Sequence, residues 1–113
     1  MDIARMRQAA GNAGSLLKVL ANEDRLLLLC QMVDGEKCVS DLEQMLDIRQ
    51  PTLSQQLGVL RSEGVVETRR DGKRIYYRLA SPEVLHLLNV LYGMFCPVDA
   101  DAELSLPAHG DTE

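Results

Sequence analysis

The chain has 113 residues, 46% of them hydrophobic but only 4% aromatic, and a formal net charge of −5. That length builds one compact domain with an aliphatic core, and no apolar run is long enough to cross a bilayer. The N-terminus lacks the apolar core of a secretory signal, and three cysteines without such a signal fit a reducing cytoplasm rather than a disulfide framework.

In chain order, residues 2–20 read as an amphipathic helix with Ile3, Met6, Ala10, Ala13, Leu16, Leu17 and Leu20 on one side. Gly11 and Gly14 weaken its middle unless packing supports it. Asn22 suits the N-cap of a second helix, with Glu23 and Asp24 at its positive end. Leu26 to Met32 is nearly continuously apolar, as for a central helix touched on several sides, and Asp34-Gly35 closes it.

The stretch from Val39 to Leu79 organises the rest. Val39, Leu42, Met45 and Leu46 recur at helical spacing. Asp47-Ile48-Arg49 is a short turn, and a further helix starts near Gln50, because Pro51 is tolerated only in a first helical turn. Its inner face is Leu53, Leu57 and Leu60, and Gly64 ends it. Its outer face offers Thr52, Ser54, Gln55, Gln56 and Arg61. Gln can hold adenine by two hydrogen bonds in the major groove, while Ser and Thr reach phosphates or base edges. On its own such a face is equally a solvated one.

The next segment tips the balance. Val65 to Arg70 and Lys73 to Leu79 flank Asp71-Gly72, a strong two-residue hairpin signal. Ile75, Tyr77 and Leu79 alternate with Arg74, Tyr76 and Arg78, and Arg69, Arg70 and Lys73 crowd the tip. Such a basic wing fits DNA backbone or minor groove. The charge distribution agrees. Residues 49–78 hold seven Arg and Lys, Arg49 among them, against three acids, a balance of +4, so the remaining chain carries −9. That asymmetry favours one docking orientation on double-stranded DNA.

After the wing, Ser81-Pro82-Glu83 starts a last helix that runs to about Cys96 and stops at Pro97. Val84, Leu85, Leu87, Leu88, Val90, Leu91, Met94 and Phe95 cover more than one of its faces, which predicts a partner on the second face. The expected fold is mainly α with a β-hairpin wing: a winged helix-turn-helix in the order α-α-α-α-β-β-α. It pairs as a homodimer through its first and last helices, presenting two recognition helices to a palindromic operator. Residues 1–97 form the domain, and the acidic residues 98–113 form a disordered tail.

The fragments LANEDRLLLL, LSQQLGVLR and GKRIYYRL, spread over residues 14–96, resemble the ArsR/SmtB family of winged-helix transcriptional repressors. The resemblance implies a dimeric repressor that leaves its operator when an inducer binds or modifies it. Metal-sensing members carry two nearby thiolates at the start of the first motif helix. Here that segment reads Glu36-Lys37-Cys38-Val39-Ser40-Asp41-Leu42, and Ser40 is a poor soft-metal ligand. The family's other metal site, on the last helix, is reduced to Glu83 and His86, short of a four-ligand set. No metal or cofactor is therefore expected.

Cys30 and Cys96 match instead the cysteine pair of the branch that resembles BigR, SqrR and HlyU, which senses reactive sulfur species or oxidants. The resemblance implies that one thiol attacks the sulfur species and the other resolves it as a bridge. From the residues alone, Cys30 after four leucines equally suits a core position. A metal or arsenite sensor using Cys30, Cys38 and Cys96, and a DNA-binding module with no inducer, stay open beside the thiol switch. An enzyme is not expected, since the sequence has no nucleophile elbow, phosphate loop or carboxylate pair.

Overall fold

The computed structural model describes residues 2–96; the tail 98–113, with His109, lies outside the described residues, as does Pro97. Five helices and three strands follow in the order α1 (Ile3–Leu20), α2 (Glu23–Gln31), β1 (Lys37–Cys38), α3 (Val39–Leu46), α4 (Thr52–Ser62), β2 (Val66–Asp71), β3 (Arg74–Leu79) and α5 (Pro82–Phe95). The winged helix-turn-helix is present, with one strand more than expected. β1 pairs antiparallel with β3, so the sheet has the order β1-β3-β2 and the wing is tied at its base to the start of α3.

The core is built from leucine. Leu28 and Leu29 of α2, Leu42 of α3, Leu53, Leu57 and Leu60 of α4, and Leu88 of α5 are fully buried. Burying each such side chain stabilises the fold by about 2 kcal/mol, so packing of α4 against α2 holds α4 better than any surface contact does. α2 differs from expectation. Although α1, α3 and α4 all pack on α2, Leu27 and Cys30 are exposed while Leu28, Leu29 and Met32 are buried, because the stripe running through Glu23, Leu27 and Cys30 is left uncovered.

Three local devices set the position of α4. Asp47 closes α3 in the left-handed region at φ 54, a conformation Asp tolerates better than most residues, and turns the chain sharply. Ile48 is buried beneath that turn. α4 then begins at Thr52, two residues after the expected start near Gln50, because a residue preceding proline is biased away from helical geometry. At its far end the Val65 N–H donates to the Leu60 carbonyl and the Gly64 N–H to the Arg61 carbonyl, with Gly64 at φ +75. This is a Schellman ending that needs glycine.

The hairpin also departs in register from expectation. Asp71 pairs with Arg74, so the two-residue loop is Gly72-Lys73 and not Asp71-Gly72. Gly72 takes φ +66 at the first loop position, where a type II′ turn requires it. Among the described residues, no helix is long and apolar enough to cross a membrane.

Candidate nucleic-acid interface and thiol pair

α4 presents Thr52, Ser54, Gln55 and Arg61 to solvent, as expected, with Arg49 and Gln50 exposed in the turn before it. Ser54 donates to the Gln50 side-chain oxygen, which ties the turn to the first turn of the helix. Gln56 differs from its neighbours. It is half-buried, and its Oε1 accepts from Arg25 Nη1 at 2.8 Å.

The wing cations fall into two groups, and the observed register explains why. Glu67 lies opposite Arg78, and Arg69 opposite Tyr76. Arg78 Nε donates to Glu67 at 2.9 Å. Arg69 lies 4.7 Å from the Tyr76 ring centroid and grips the Glu36 carboxylate, whose pKa is held below the ordinary carboxylate range by that bond. Exposed pairs of this kind contribute about 0–1 kcal/mol, so they orient the wing more than they stabilise it. Arg70, Lys73 and Arg74, with Arg49 and Arg61, make no salt bridge among the described residues and stay available to phosphate. Tyr76 first, and beyond it Cys38 and Asp41, raise the Arg74 pKa, so its charge is secure.

Base-reading and charge-carrying side chains respond differently to removal. Gln55→Ala or Gln56→Ala relaxes base preference, while Arg74→Ala weakens binding to every sequence and lowers the salt slope by about 1. Fluorescence anisotropy over a salt series with matched and scrambled duplexes separates the two; identical behaviour would refute this placement of helix and wing.

Away from this face, Cys30 stands exposed at the end of α2 and Cys96 half-buried just after α5, both as free thiols. Partial burial pushes the Cys30 thiol pKa up, and the charge of Cys96 pushes it further. Cys38 is a different kind of residue. It is buried, its N–H donates to Asp41 at the start of α3, and its Sγ lies 3.2 Å from Ser40 Oγ. His86 is exposed on α5. No three His, Cys, Asp or Glu side chains among the described residues gather closely enough to hold a metal.

This architecture has counterparts. A model of the bacterial regulatory protein arsR family matches residues 22–68, from the α2 cap into β2. A biofilm growth-associated repressor of Agrobacterium fabrum is 53% identical over 96 residues, 85% of this chain and 82% of that protein. The chain belongs to the ArsR family. This ArsR-family chain also superposes on the transcriptional repressor BigR from Xylella fastidiosa at TM-score 0.79 and 49% identity, covering 87% of this chain and all of that one. Reduced HlyU from Vibrio cholerae gives TM-score 0.80 at 37% identity, over 84% of this chain and all of that one. The homodimeric winged helix-turn-helix DNA-binding domain Mb0332 from Mycobacterium bovis gives 0.69 at 28% identity, over 99% and 97%. Membership makes the chain a DNA-binding transcriptional regulator and not an enzyme.

Two features of this ArsR-family regulator carried no signal in its sequence. Glu36 neutralises Arg69 across 33 positions of chain, and Arg25 reaches Gln56 across 31. Only the folded chain brings either pair together.

Proposed function

We propose that this protein is a cytoplasmic, homodimeric repressor that leaves a palindromic operator when Cys30 and Cys96 become bridged by reactive sulfur species or oxidants. The observation that carries the proposal is the placement of two accessible cysteines, Cys30 exposed at the end of α2 and Cys96 half-buried just after α5, with Cys96 among the causes that raise the Cys30 pKa. A bridge between these two thiols would link the end of α2 to the end of α5.

The chemistry balances with the inducer as oxidant. One cysteine thiolate attacks the outer sulfur of a low-molecular-weight persulfide, forming a protein persulfide and expelling the parent thiol. The second thiolate attacks the inner, protein-bound sulfur and expels hydrosulfide, leaving a disulfide between Cys30 and Cys96. Attack on further persulfide before closure retains added sulfur in the bridge. With a peroxide, the first thiolate attacks one oxygen and expels hydroxide, becoming a sulfenic acid, and the second thiolate displaces hydroxide from that sulfur to close the disulfide, each hydroxide taking a proton from solvent to leave as water. The crosslink biases the dimer towards a geometry in which the two α4 helices no longer match successive half-sites.

Repression is supported by the likeness to BigR and to the Agrobacterium repressor, and redox chemistry by the likeness to an HlyU whose solved form is described as reduced. Pairing is supported by the exposed apolar faces of α1 and α5 and by the homodimeric Mb0332 domain. The test is peptide mass spectrometry after glutathione persulfide, hydrogen peroxide or arsenite, with operator anisotropy on the same samples. The expected result is a Cys30–Cys96 crosslink that appears together with loss of DNA. Free thiols at both positions while arsenite or zinc releases the DNA would replace this reading with a metal sensor.

A further inference from the structure

We infer that Arg25 fixes the base-reading direction of Gln56, so that Gln56 addresses DNA as a hydrogen-bond donor and selects a base edge that accepts. The inference rests on α4 being the helix that enters the major groove.

Arg25 lies in the first turn of α2. Its guanidinium donates through Nε to the Val19 carbonyl and through Nη2 to the Lys18 carbonyl at 3.3 Å. Both carbonyls belong to the last turn of α1, where a helix leaves such groups without internal partners. Nη1 is left to donate to Gln56 at 2.8 Å. The guanidinium is thus held from three sides, and its planar fork leaves little freedom in where that third bond points.

The two ends of a glutamine amide are not equivalent towards such a neighbour. Arginine has donors and no acceptor, so the Gln56 atom facing it must be the carbonyl oxygen. Chemistry therefore settles an orientation that electron density alone seldom does. With one lone pair of Oε1 held by Arg25, Nε2 and its two hydrogens are the end left wholly free. Adenine recognition by glutamine needs both ends, one accepting from N6 and one donating to N7. In Gln56 the accepting end is already shared with Arg25 and held in its direction. It is suited instead to guanine, whose O6 and N7 both accept, or to thymine O4, and it is opposed to cytosine, which offers N4–H₂. Gln55, exposed and with no side-chain hydrogen bond among the described residues, keeps both ends. Two consecutive glutamines thus read by different rules.

Selection of bound duplexes from a pool randomised across the operator, followed by sequencing, tests this with the full-length protein. Gln56→Glu retains an acceptor for Arg25, so the variant keeps the contact and the fold, but it removes the donors. The expected result is inversion at one operator position, from guanine or thymine to cytosine, by roughly tenfold in relative affinity. Arg25→Ala frees the amide to turn, and the same position gains adenine by roughly tenfold. Gln55→Glu alters a different position. If Gln56→Glu and Arg25→Ala lower affinity evenly with base preferences unchanged, the inference fails while α4 remains the reading helix. A wild-type protein that enriches no sequence would overturn the placement of α4 itself, and the inference with it.

Discussion

Serine at either Cys30 or Cys96 leaves the protein on its operator at glutathione persulfide levels that release the wild type. A coupling free energy of about 1–3 kcal/mol between an effector and a ligand site corresponds to roughly 5- to 150-fold in affinity, and each single substitution removes all of it. The two variants behave alike because a bridge needs both sulfurs. Neither result can be ascribed to a damaged core: Cys30 is exposed and Cys96 only half-buried at the end of α5. Cys38→Ser is the informative contrast. It alters a buried side chain at the start of α3, lowering thermal stability while the persulfide response remains. The same variants give a pH signature. The raised Cys30 pKa keeps that thiol protonated at neutral pH, so its alkylation accelerates as pH climbs through and above the ordinary thiol range. In Cys96→Ser the smaller of the two causes is gone and the larger, burial, stays. Cys30 therefore keeps a raised pKa in that variant, and its alkylation still accelerates as pH climbs. Anisotropy with added persulfide reads the first effect and timed iodoacetamide labelling the second. Operator release by the Cys30→Ser protein would sink the switch.

Much of the candidate DNA face was legible because it is local. Leu53, Leu57 and Leu60 at helical spacing, a proline at the start and a glycine past the end define a helix whatever surrounds it. The hairpin shows how a wrong detail can leave the consequence intact. Placing the turn at Asp71-Gly72 puts Arg70 opposite Lys73, whereas Arg70 faces Ile75 in the structure. The error is two residues along the partner strand, so each side chain keeps its face, and the division into core-facing Tyr77 and Leu79 and outward Arg74 and Arg78 survives. A one-residue slip would have reversed it. The cross-strand neighbours were not legible, and they decide that Arg69 and Arg78 are neutralised while Arg70 and Lys73 are not. β1 is two residues long and has no periodicity to detect. Cys30 misleads for a related reason: a run of four leucines implies burial all round, but α2 leaves one stripe uncovered between its packed faces, and its last turn carries the thiol outward along that stripe.

Glutamate at Leu17 or Met94 yields a monomer that binds a full palindrome roughly 100- to 10,000-fold more weakly, the range by which joining two sites raises avidity over one. The expectation follows from what α1 lacks. Every residue from Ile3 to Ala13 is exposed, and Gly11 and Gly14 interrupt its middle. An isolated helix of such length is marginal in water even when rich in alanine, so α1 depends on a surface that the single chain does not supply. α5 offers the same need from the other end of the chain, with Met94 66% and Phe95 73% exposed beside Val90. A buried unpaired carboxylate costs several kcal/mol, enough to separate subunits held by apolar contact. Because Leu17 and Met94 touch little within their own chain, both variants keep the wild-type affinity for an isolated half-site. That retained affinity distinguishes lost pairing from lost folding. Light scattering gives the mass, and anisotropy on half-site and full-site duplexes gives the rest. A Leu17→Glu protein that remained dimeric with undiminished full-site affinity would move the interface elsewhere. It would also remove the route by which a bridge between α2 and α5 reaches the spacing of the recognition helices.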